Sequence, residues 1–263
     1  MIDFYGLTSP NVQKIFIMLE ECGLPYNFKP VDVWASKQHT PEFELLNPNK
    51  KIPVIVDHDG PGGKSYTVFE SGAILMYLAE KSGKFMPKDM ASKYEVIQWL
   101  MIQVSGIGPA FGNFTHFNLF APKPNDYALS RYKTELLRLY DLLNKRLGEA
   151  KYLGGKEYSI ADMATFPWTR QHQAQVQAPH LDRCGALAGH IGVTDVGLGR
   201  AEARRHGFGG AFGIGLGHAR ALQADGQHDQ FVAGVRRDVE GRRGGVVAGD
   251  GVIDLVGVAV RVE

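Results

Sequence analysis

The residues best suited to binding an anion lie at the start of a predicted helix. Glu70-Ser71-Gly72 precede an apolar helical run that ends near Gly83. Free backbone amides and the positive end of the helix dipole attract a carboxylate at such a position. The same residue types also begin many helices that bind nothing, so these residues alone favour neither interpretation.

Residue spacing and charge exclude several other kinds of site. Cys22 and Cys184 form neither a CxxC pair nor a cluster with metal-ligand spacing, which argues against zinc and against a dithiol carried by the protein. The glycine-rich last third contains neither GxGxxG nor GxxxxGKS/T, the two common phosphate-binding motifs. Lys and Arg total 29 against 28 Asp and Glu, a balance that favours neither nucleic acid nor an anionic membrane as partner.

Cysteine usage and the first residues predict a cytoplasmic protein. Two cysteines among 263 residues fit a reducing compartment. The start MIDFYG has no charged segment followed by an apolar one, so we predict no signal peptide. No apolar run approaches the ~18 residues that a membrane helix needs.

The elements that must position Glu70-Ser71-Gly72 follow the order βαβ, α, ββα. A strand, a helix and a strand are predicted over residues 2–5, 12–22 and 26–33, with the two strands parallel. Ser9-Pro10-Asn11 begin the helix, with Ser as its cap and Pro in its first turn. The pattern then predicts a loop with a short helix over 34–47 and a hairpin of strands 51–56 and 66–69.

Residues 88–172 are predicted to be helical. Residues 127–147 carry one apolar stripe at helical spacing, which Gly148 ends; its members are Leu136, Leu139, Tyr140, Leu143 and Leu147. Residues 89–107 carry a second helical pattern. Ser159-Ile160-Ala161-Asp162 is a variant of the capping box, and it precedes a helix that contains Trp168.

The composition changes abruptly near residue 173. Residues 1–172 hold 15 Lys and 4 Arg, whereas residues 173–263 hold 10 Arg and no Lys. The second segment contains no Ser, Asn, Tyr, Trp or Met, but it has 19 of the 32 glycines. Our hypothesis is a reading-frame slip in a GC-rich gene, entering around His172 to Gln177. The alternative is a genuine extension, whose glycines would cost backbone entropy in any helix or strand.

Several separate motifs together resemble the cytosolic glutathione transferases. The element order, Lys51-Ile52-Pro53, Glu70-Ser71-Gly72 and Tyr158-Ser159-Ile160-Ala161-Asp162 are typical of that superfamily. Within it, the chain resembles the nu-class bacterial enzymes, which are close to the fungal nitrogen-regulator branch and reduce disulfides with glutathione. This closer resemblance rests on Ser9-Pro10-Asn11, Asn49-Lys50-Lys51-Ile52-Pro53, Val56-Asp57-His58, Phe69-Glu70-Ser71-Gly72-Ala73-Ile74-Leu75, Gly106-Ile107-Gly108-Pro109 and His116-Phe117-Asn118. It covers residues 1 to about 172.

The resemblance implies a fold, a co-substrate and partners. Residues 1–83 are expected to form an α/β thioredoxin-like domain that binds glutathione. Residues 88–172 are expected to form an all-α transferase C-terminal domain, incomplete because the resemblance stops before the family's last helices, and residues 173–263 form an atypical Gly/Arg-rich tail. Glutathione is the expected co-substrate, and a small electrophile or a disulfide is the expected second substrate. No metal is expected. Family members are usually dimers, so a homodimer is expected.

By the same resemblance, residues around the third strand and the following helix bind glutathione. Ile52 pairs its backbone with the cysteinyl part of the tripeptide, and Pro53 is cis; the plain alternative is a proline at a strand start. Ser71 holds the γ-glutamyl carboxylate, and Glu70 holds the ammonium of the same residue. Binding becomes the favoured interpretation of Glu70 and Ser71 because Lys51-Ile52-Pro53 precede them at the family's spacing.

Other polar residues are expected around the two ends of the ligand. Lys51, with Gln38 or His39, is expected at the glycine carboxylate, although these residues also fit a plain loop. Arg131 has a charge suited to a glutathione carboxylate. The candidates to line the second-substrate side or to contact a disulfide are Asn113, His116, Phe117, Asn118 and Arg131, although His116 also fits a satisfied polar residue in a loop.

The thiol of glutathione reacts as the thiolate, so a nearby donor would activate it. The candidates are the Ser9 hydroxyl and the Asn11 amide, and in the nu class a Thr stands where this chain has Ser9. The alternative role for Ser9 is N-capping. Tyr5 is the residue type that activates the thiol in some other classes, but its place within the first strand favours core packing. Cys22, near a helix end, is expected to be inert.

Two classes of function remain open from the sequence. The leading hypothesis is an enzyme that uses bound glutathione, for thiol–disulfide exchange first and for transfer to an electrophile or dehalogenation second. The alternative is a non-catalytic interaction module on the same fold. A chain inactivated by the altered tail is a further alternative, since the tail replaces helices that normally cover the second domain's core.

Overall fold

A computed structural model of the chain describes residues 1–170, 252–254 and 259–261. The chain divides into two units, Met1–Gly197 and Leu198–Glu263. Of the predicted tail, residues 173–263, the structure describes only 252–254 and 259–261, so Cys184 lies outside the described residues. The predicted arrangement of an α/β thioredoxin-like domain followed by a helical domain is confirmed over the described part of the first unit.

The first domain is built on a four-stranded sheet with the order β2-β1-β3-β4. Its strands are β1 (Ile2–Gly6), β2 (Tyr26–Pro30), β3 (Val54–Asp57) and β4 (Tyr66–Phe69). β1 runs parallel to β2, with Ile2 opposite Tyr26, and β3 runs antiparallel to both β1 and β4. The parallel βαβ unit and the hairpin are therefore confirmed. β3 begins after Lys51-Ile52-Pro53 and not at Lys51, and Pro53 has no N–H to give to the ladder.

Helix α1 (Pro10–Cys22) is buried on most of its surface because it packs against the sheet and two helices. Phe16 meets Phe4 of β1 edge-on at a ring-centroid distance of 4.7 Å. One of the two helices is α3 (Ser71–Ser82), from the first domain, and the other belongs to the helical domain. At the C-terminus of α1, Gly23 adopts a left-handed conformation with φ 69°, as a C′ glycine does.

A second small core lies under the loop between β2 and β3. The loop contains a 3-10 turn, Lys37–His39, and helix α2, Pro41–Leu46. Its core consists of Val31, Phe43 and Val54, with Tyr5, Leu46 and Ile52 packed against it. Burial, and to a lesser extent the charge of Asp3, raises the pKa of Tyr5. The contact of Tyr5 with this core confirms the predicted core packing. Because its pKa is raised, Tyr5 is also a poor group for activating a thiol.

The helical domain contains four α-helices within the described residues. They are α4 (Met90–Ile102), α5 (Gly108–Thr115), α6 (Asp126–Glu149) and α7 (Ile160–Thr169), with π-helical turns at Gln103–Ile107 and His116–Phe120. The apolar stripe of α6 is buried at Leu136, Leu139, Tyr140 and Leu143 and partly buried at Leu147. α7 is the helix of this domain that packs against α1. None of the described helices is long and apolar enough to cross a membrane.

The predicted capping box begins α7. Ser159 Oγ accepts a hydrogen bond from the Ala161 N–H, and the Ser159 N–H donates to Asp162 Oδ2 at 3.0 Å. Asp162 Oδ1 also accepts from the Leu153 N–H at 2.8 Å, so the box joins α7 to the preceding loop.

In the second unit, the structure describes one antiparallel pair of strands, β5 (Val252–Asp254) and β6 (Ala259–Arg261). Val252 pairs with Arg261.

Candidate functional site

The N-terminus of α3 presents unpaired hydrogen-bond donors. The first amide of this helix with a partner is the Ile74 N–H, which donates to the Glu70 carbonyl at 2.9 Å. The N–H groups of Ser71, Gly72 and Ala73 have no acceptor in the described part of the chain, and no side chain caps the helix. Ser71 is buried, with 8% of its surface exposed, and its hydroxyl lies beside these N–H groups. This arrangement of donors suits a carboxylate.

Glu70 precedes this helix in a strained backbone conformation. Its φ of 68° lies in the left-handed region, which residues other than glycine seldom adopt. Strained residues cluster at ligand sites because the surrounding structure must hold them there. The side chain of Glu70 is exposed and accepts a hydrogen bond from Asn49 Nδ2 at 3.1 Å. A carboxylate held in this way can bind a ligand ammonium with its remaining acceptor positions.

Asparagines connect Glu70 to the loop that precedes β3. Asn47 is buried, and its Nδ2 donates to the Lys51 carbonyl at 2.7 Å. Asn47 Oδ1 accepts from the Asn49 N–H at 2.9 Å, and Asn49 Nδ2 reaches Glu70. The positions of Glu70 and of Lys51-Ile52-Pro53 are thus coupled. We did not predict the roles of Asn47 and Asn49; the signal was the Asn47-Pro48-Asn49 turn, since Asn side chains often bond the backbone two residues on.

The main chain of Ile52 is available to a peptide. The Ile52–Pro53 bond is cis, as the resemblance implies. The Ile52 side chain packs against the core of the loop, whereas its N–H and carbonyl have no hydrogen-bond partner among the described residues. Free main-chain groups at a sheet end can pair with an extended ligand as a further strand would.

The start of α1 lies in the same domain and holds both candidates for thiol activation. Ser9 Oγ accepts from the Val12 N–H at 3.2 Å, so Ser9 does cap the helix. A hydroxyl that accepts one bond keeps its own proton free to donate, and the two roles of Ser9 are therefore compatible. Asn11 Oδ1 accepts from the Trp168 indole at 3.2 Å. This contact with α7 was not predicted, because nothing in the sequence indicates how α7 packs against α1.

The other predicted site residues lie outside the starts of α1 and α3. Gln38 lies in the 3-10 turn, where its Oε1 is buried and has no hydrogen-bond partner within the described ranges, and His39 beside it is exposed. The Lys51 side chain is exposed, while its carbonyl is bound by Asn47. Arg131 is exposed on α6, and its charge helps to lower the pKa of Glu135. No described hydrogen bond or ion pair links Arg131 to the first domain.

Cys22 lies at the far end of α1 and is buried. Burial raises the pKa of its thiol, although the hydrogen bond with Ser82 and the charge of Lys84 act in the opposite direction. A thiol with a raised pKa carries little thiolate near neutral pH, so Cys22 is a poor nucleophile.

The fold and the two helix starts define a glutathione-transferase type of protein. A family model for the glutathione S-transferase N-terminal domain matches residues 8–81, and one for the C-terminal domain matches residues 109–190. Disulfide-bond oxidoreductase YfcG of Escherichia coli (strain K12) is 48% identical over 169 residues, which are 64% of this chain and 79% of that protein. The chain belongs to the glutathione S-transferase family.

Two solved structures extend the comparison. A glutathione transferase from Burkholderia graminis, with two glutathione molecules bound per subunit, has a TM-score of 0.71 and 43% identity over 78% of this chain and 89% of its own. A glutathione transferase from Pseudomonas putida, with one glutathione disulfide bound per subunit, has a TM-score of 0.67 and 38% identity over 73% of this chain and 91% of its own.

Proposed function

We propose that this chain binds glutathione at the start of α3 and uses the glutathione thiolate to reduce disulfides. The observation that carries the proposal is the group of unpaired donors formed by the Ser71 hydroxyl and the N–H groups of Ser71, Gly72 and Ala73. They suit the γ-glutamyl carboxylate, and the neighbouring Glu70 carboxylate suits the ammonium on the same carbon.

The rest of the tripeptide then extends toward β3 and α1. The free main chain of Ile52, before cis-Pro53, pairs with the cysteinyl unit. The sulfur lies at the start of α1, where the Ser9 hydroxyl and the Asn11 amide donate to the thiolate and lower its pKa. At the glycine carboxylate we place Lys51 with Gln38 or His39, and we assign Arg131 to a carboxylate on the second-substrate side.

The reaction is two successive thiol–disulfide exchanges. The bound glutathione thiolate attacks one sulfur of a disulfide; a bond forms to that sulfur, and the other sulfur leaves as a thiolate, which takes up a proton. A second glutathione thiolate then attacks the glutathione sulfur of the mixed disulfide; glutathione disulfide forms, and the second substrate sulfur leaves as a thiolate that takes up a proton. Two glutathiones are oxidised as one disulfide is reduced. Room for two glutathiones or one glutathione disulfide in related structures supports this sequence.

We further place the protein in the cytoplasm as a homodimer. A pool of reduced glutathione must restore the co-substrate, and the low cysteine content fits such a reducing compartment. Dimers are usual in this family, and the proposal rests on that membership.

The proposed domains are residues 1–83, 88–172 and 173–263, with the last translated from a shifted reading frame. The composition change near residue 173 supports the frame slip. The coding DNA should then contain a family-like continuation in another register. Sequencing across the codons for residues 165–190 tests this. Residue 190 is the last position that the C-terminal family model matches. A single uninterrupted frame with no such continuation in either other register would contradict it.

The function is tested by calorimetric titration of the full chain with reduced and with oxidised glutathione, followed by turnover of 2-hydroxyethyl disulfide. We expect saturable binding and turnover that the Cys22→Ala variant retains, because the nucleophile belongs to glutathione. Binding without turnover of the disulfide would instead identify a non-catalytic module. Turnover of an aryl halide alone would identify a conjugating transferase.

A further inference from the structure

A buried lysine lies directly behind Ser71. Lys14, on α1, is 1% exposed, and its Nζ is 3.2 Å from Ser71 Oγ and 2.6 Å from Gln103 Oε1. Both partners are uncharged, and no carboxylate forms an ion pair with Lys14 in the described part of the chain. A buried ammonium normally has a counter-ion, because burial without one is strongly unfavourable.

The chemistry of the ammonium group determines which way Ser71 donates. In its charged form Lys14 has three donors and no acceptor, so Ser71 Oγ then accepts from the ammonium. The single proton of the Ser71 hydroxyl is then directed away from Lys14. When Lys14 is charged, the Ser71 hydroxyl and the free N–H groups at the α3 start can therefore all donate to one anion.

The helical domain supplies the other partner of this lysine. Gln103 lies in the π-helical turn between α4 and α5 and is 1% exposed. Its Oε1 accepts from Lys14, while its Nε2 is buried without a hydrogen-bond partner among the residues that the structure describes. Gln103 orients Lys14 toward Ser71 without neutralising its charge.

We propose that Lys14 is a positioning residue that acts as the buried counter-ion of the γ-glutamyl carboxylate, and that binding of this carboxylate is coupled to proton uptake by Lys14. The inference rests on the proposed function, since Ser71 binds that carboxylate there. The carboxylate completes an ion pair across Ser71 that the empty site lacks. The proton comes from solvent, and no covalent bond changes.

The ionisation of Lys14 is consistent with this coupling. Burial lowers its pKa to about 7, although the charge of Glu70 acts in the opposite direction. Above pH 7 the lysine of the empty site is therefore mostly neutral, and an arriving carboxylate favours the charged form. At pH 6 the lysine already carries its proton in most molecules, and little uptake is expected there.

Other titratable groups on the elements around Lys14 are bound elsewhere. On α7, Asp162 accepts hydrogen bonds from Ser159 and Leu153. On α3, Tyr77 and Lys81 both contact Asp57. Glu70 remains the charged group that acts on Lys14, and it is also the proposed ligand of the glutathione ammonium.

The test is calorimetric titration of the full chain with S-methylglutathione, which has no thiol proton to release. Titrations in two buffers of different ionisation enthalpy at each pH, Tris and HEPES at pH 8 and MES and Bis-Tris at pH 6, measure the protons taken up. If the bound carboxylate raises the pKa of Lys14 from about 7 to above about 8, uptake should exceed about half a proton at pH 8 and be close to none at pH 6. Equal heats in both buffers at pH 8 would overturn the inference.

Lys14→Met tests the residue, and Lys64→Met, at an exposed lysine in the β3–β4 turn, is its matched control. Lys14→Met should abolish the uptake at pH 8 and weaken binding about tenfold at pH 6, as loss of a charge-assisted interaction would, with a smaller loss at pH 8. Lys64→Met should match the wild type. If Lys14→Met does not fold, the wild-type buffer comparison still decides.

The outcomes separate the two proposals. Saturable wild-type binding without proton uptake, or a Lys14→Met variant with unchanged affinity and uptake, overturns the role of Lys14 and leaves glutathione binding intact. Absence of saturable binding to the wild type at both pH values overturns the proposed function and this inference together.

Discussion

The indole N–H of Trp168 donates a 3.2 Å hydrogen bond to the side-chain oxygen of Asn11. An indole nitrogen only donates, so the Asn11 atom that faces it is the carbonyl oxygen. The Asn11 NH2 group is then turned away from Trp168 and has no partner among the described residues. A free NH2 at the start of α1 can donate to a thiolate, whereas a flipped amide would present an oxygen and repel it.

Trp168→Phe should therefore lower kcat with little change in KM for glutathione. The variant keeps an aromatic ring but removes the donor that selects one orientation of the Asn11 amide. We expect a loss of about fivefold, equivalent to about 1 kcal/mol for one hydrogen bond. Steady-state turnover of 2-hydroxyethyl disulfide at several glutathione concentrations measures it. Trp99→Phe is the control, because Trp99 lies on α4 and its ring contacts the Arg146 guanidinium. Equal rates for both variants would contradict the prediction.

Ser9 and Asn11, the two residues proposed to donate to the thiolate, should affect rate more than binding. Ser9→Ala and Asn11→Ala each remove a donor that stabilises the thiolate, so kcat should fall by about tenfold while the Kd for S-methylglutathione changes less than threefold. The pH at which the bound glutathione thiol ionises should rise in both variants, and absorbance of the thiolate near 240 nm measures it.

Ser9→Ala also removes a helix cap, which by itself costs about 1 kcal/mol of stability. Asn125→Ala is the matched control, because Asn125 caps α6 through the Ala128 N–H at 2.9 Å and lies outside the proposed site. The control should lose stability and keep its rate. A rate loss in Asn125→Ala equal to that in Ser9→Ala would assign the effect to folding.

Local pattern was sufficient to predict the first domain. The βαβ order and the proline before β3 each depend on residues close together in the chain, and each is present, as is the capping box at Ser159 in the helical domain. The α3 start was predicted for the same reason, since a helix N-terminus can be found from its own few residues.

The residues behind the site were not predictable in this way. Lys14 and Gln103 are 89 positions apart, and Asn11 and Trp168 are 157 apart. Both contacts depend on how the helical domain packs against α1, and single-sequence periodicity carries no information about that packing. A lysine within an apolar helix was the available signal, because buried lysines are rare unless paired.

Acid should destabilise the first domain through Asp57. This carboxylate is buried, and burial alone would raise its pKa. Hydrogen bonds from Tyr77 Oη at 2.6 Å, from Lys81 and from the Asp59 N–H outweigh burial and hold the pKa of Asp57 below its ordinary value. A lowered pKa stabilises the fold above the unfolded value of about 3.9, and that contribution is lost as the pH falls through the folded value.

Asp57→Asn should therefore destabilise the protein at pH 7, by about 2 kcal/mol, and should reduce the loss of stability on going from pH 6 to pH 3. Urea unfolding at a series of pH values measures both effects. Asp59→Asn is the control, because the Asp59 side chain is 81% exposed. If Asp57→Asn shows the same acid sensitivity as the wild type, another carboxylate causes it.

Asp162 should stabilise α7 and, through α7, the orientation of Asn11. Its carboxylate is fully buried and accepts from the Leu153 N–H at 2.8 Å, the Ser159 N–H at 3.0 Å and the Ser159 hydroxyl at 2.9 Å. Asp162→Ala leaves these buried donors unpaired, so it should cost about 3 kcal/mol in urea unfolding. Because α7 carries Trp168, we also expect the kcat loss of Trp168→Phe to reappear in this variant.

The matched control is Asp89→Ala, at an exposed aspartate that caps α4 through one hydrogen bond, from the Ser92 N–H at 2.9 Å. It should cost only about 1 kcal/mol, as an exposed N-cap does, and should leave kcat unchanged. Equal losses of stability in the two variants would mean that burial does not strengthen the capping box formed by Ser159 and Asp162. A destabilised Asp162→Ala variant with wild-type kcat would mean that the start of α7 does not hold Trp168 in place.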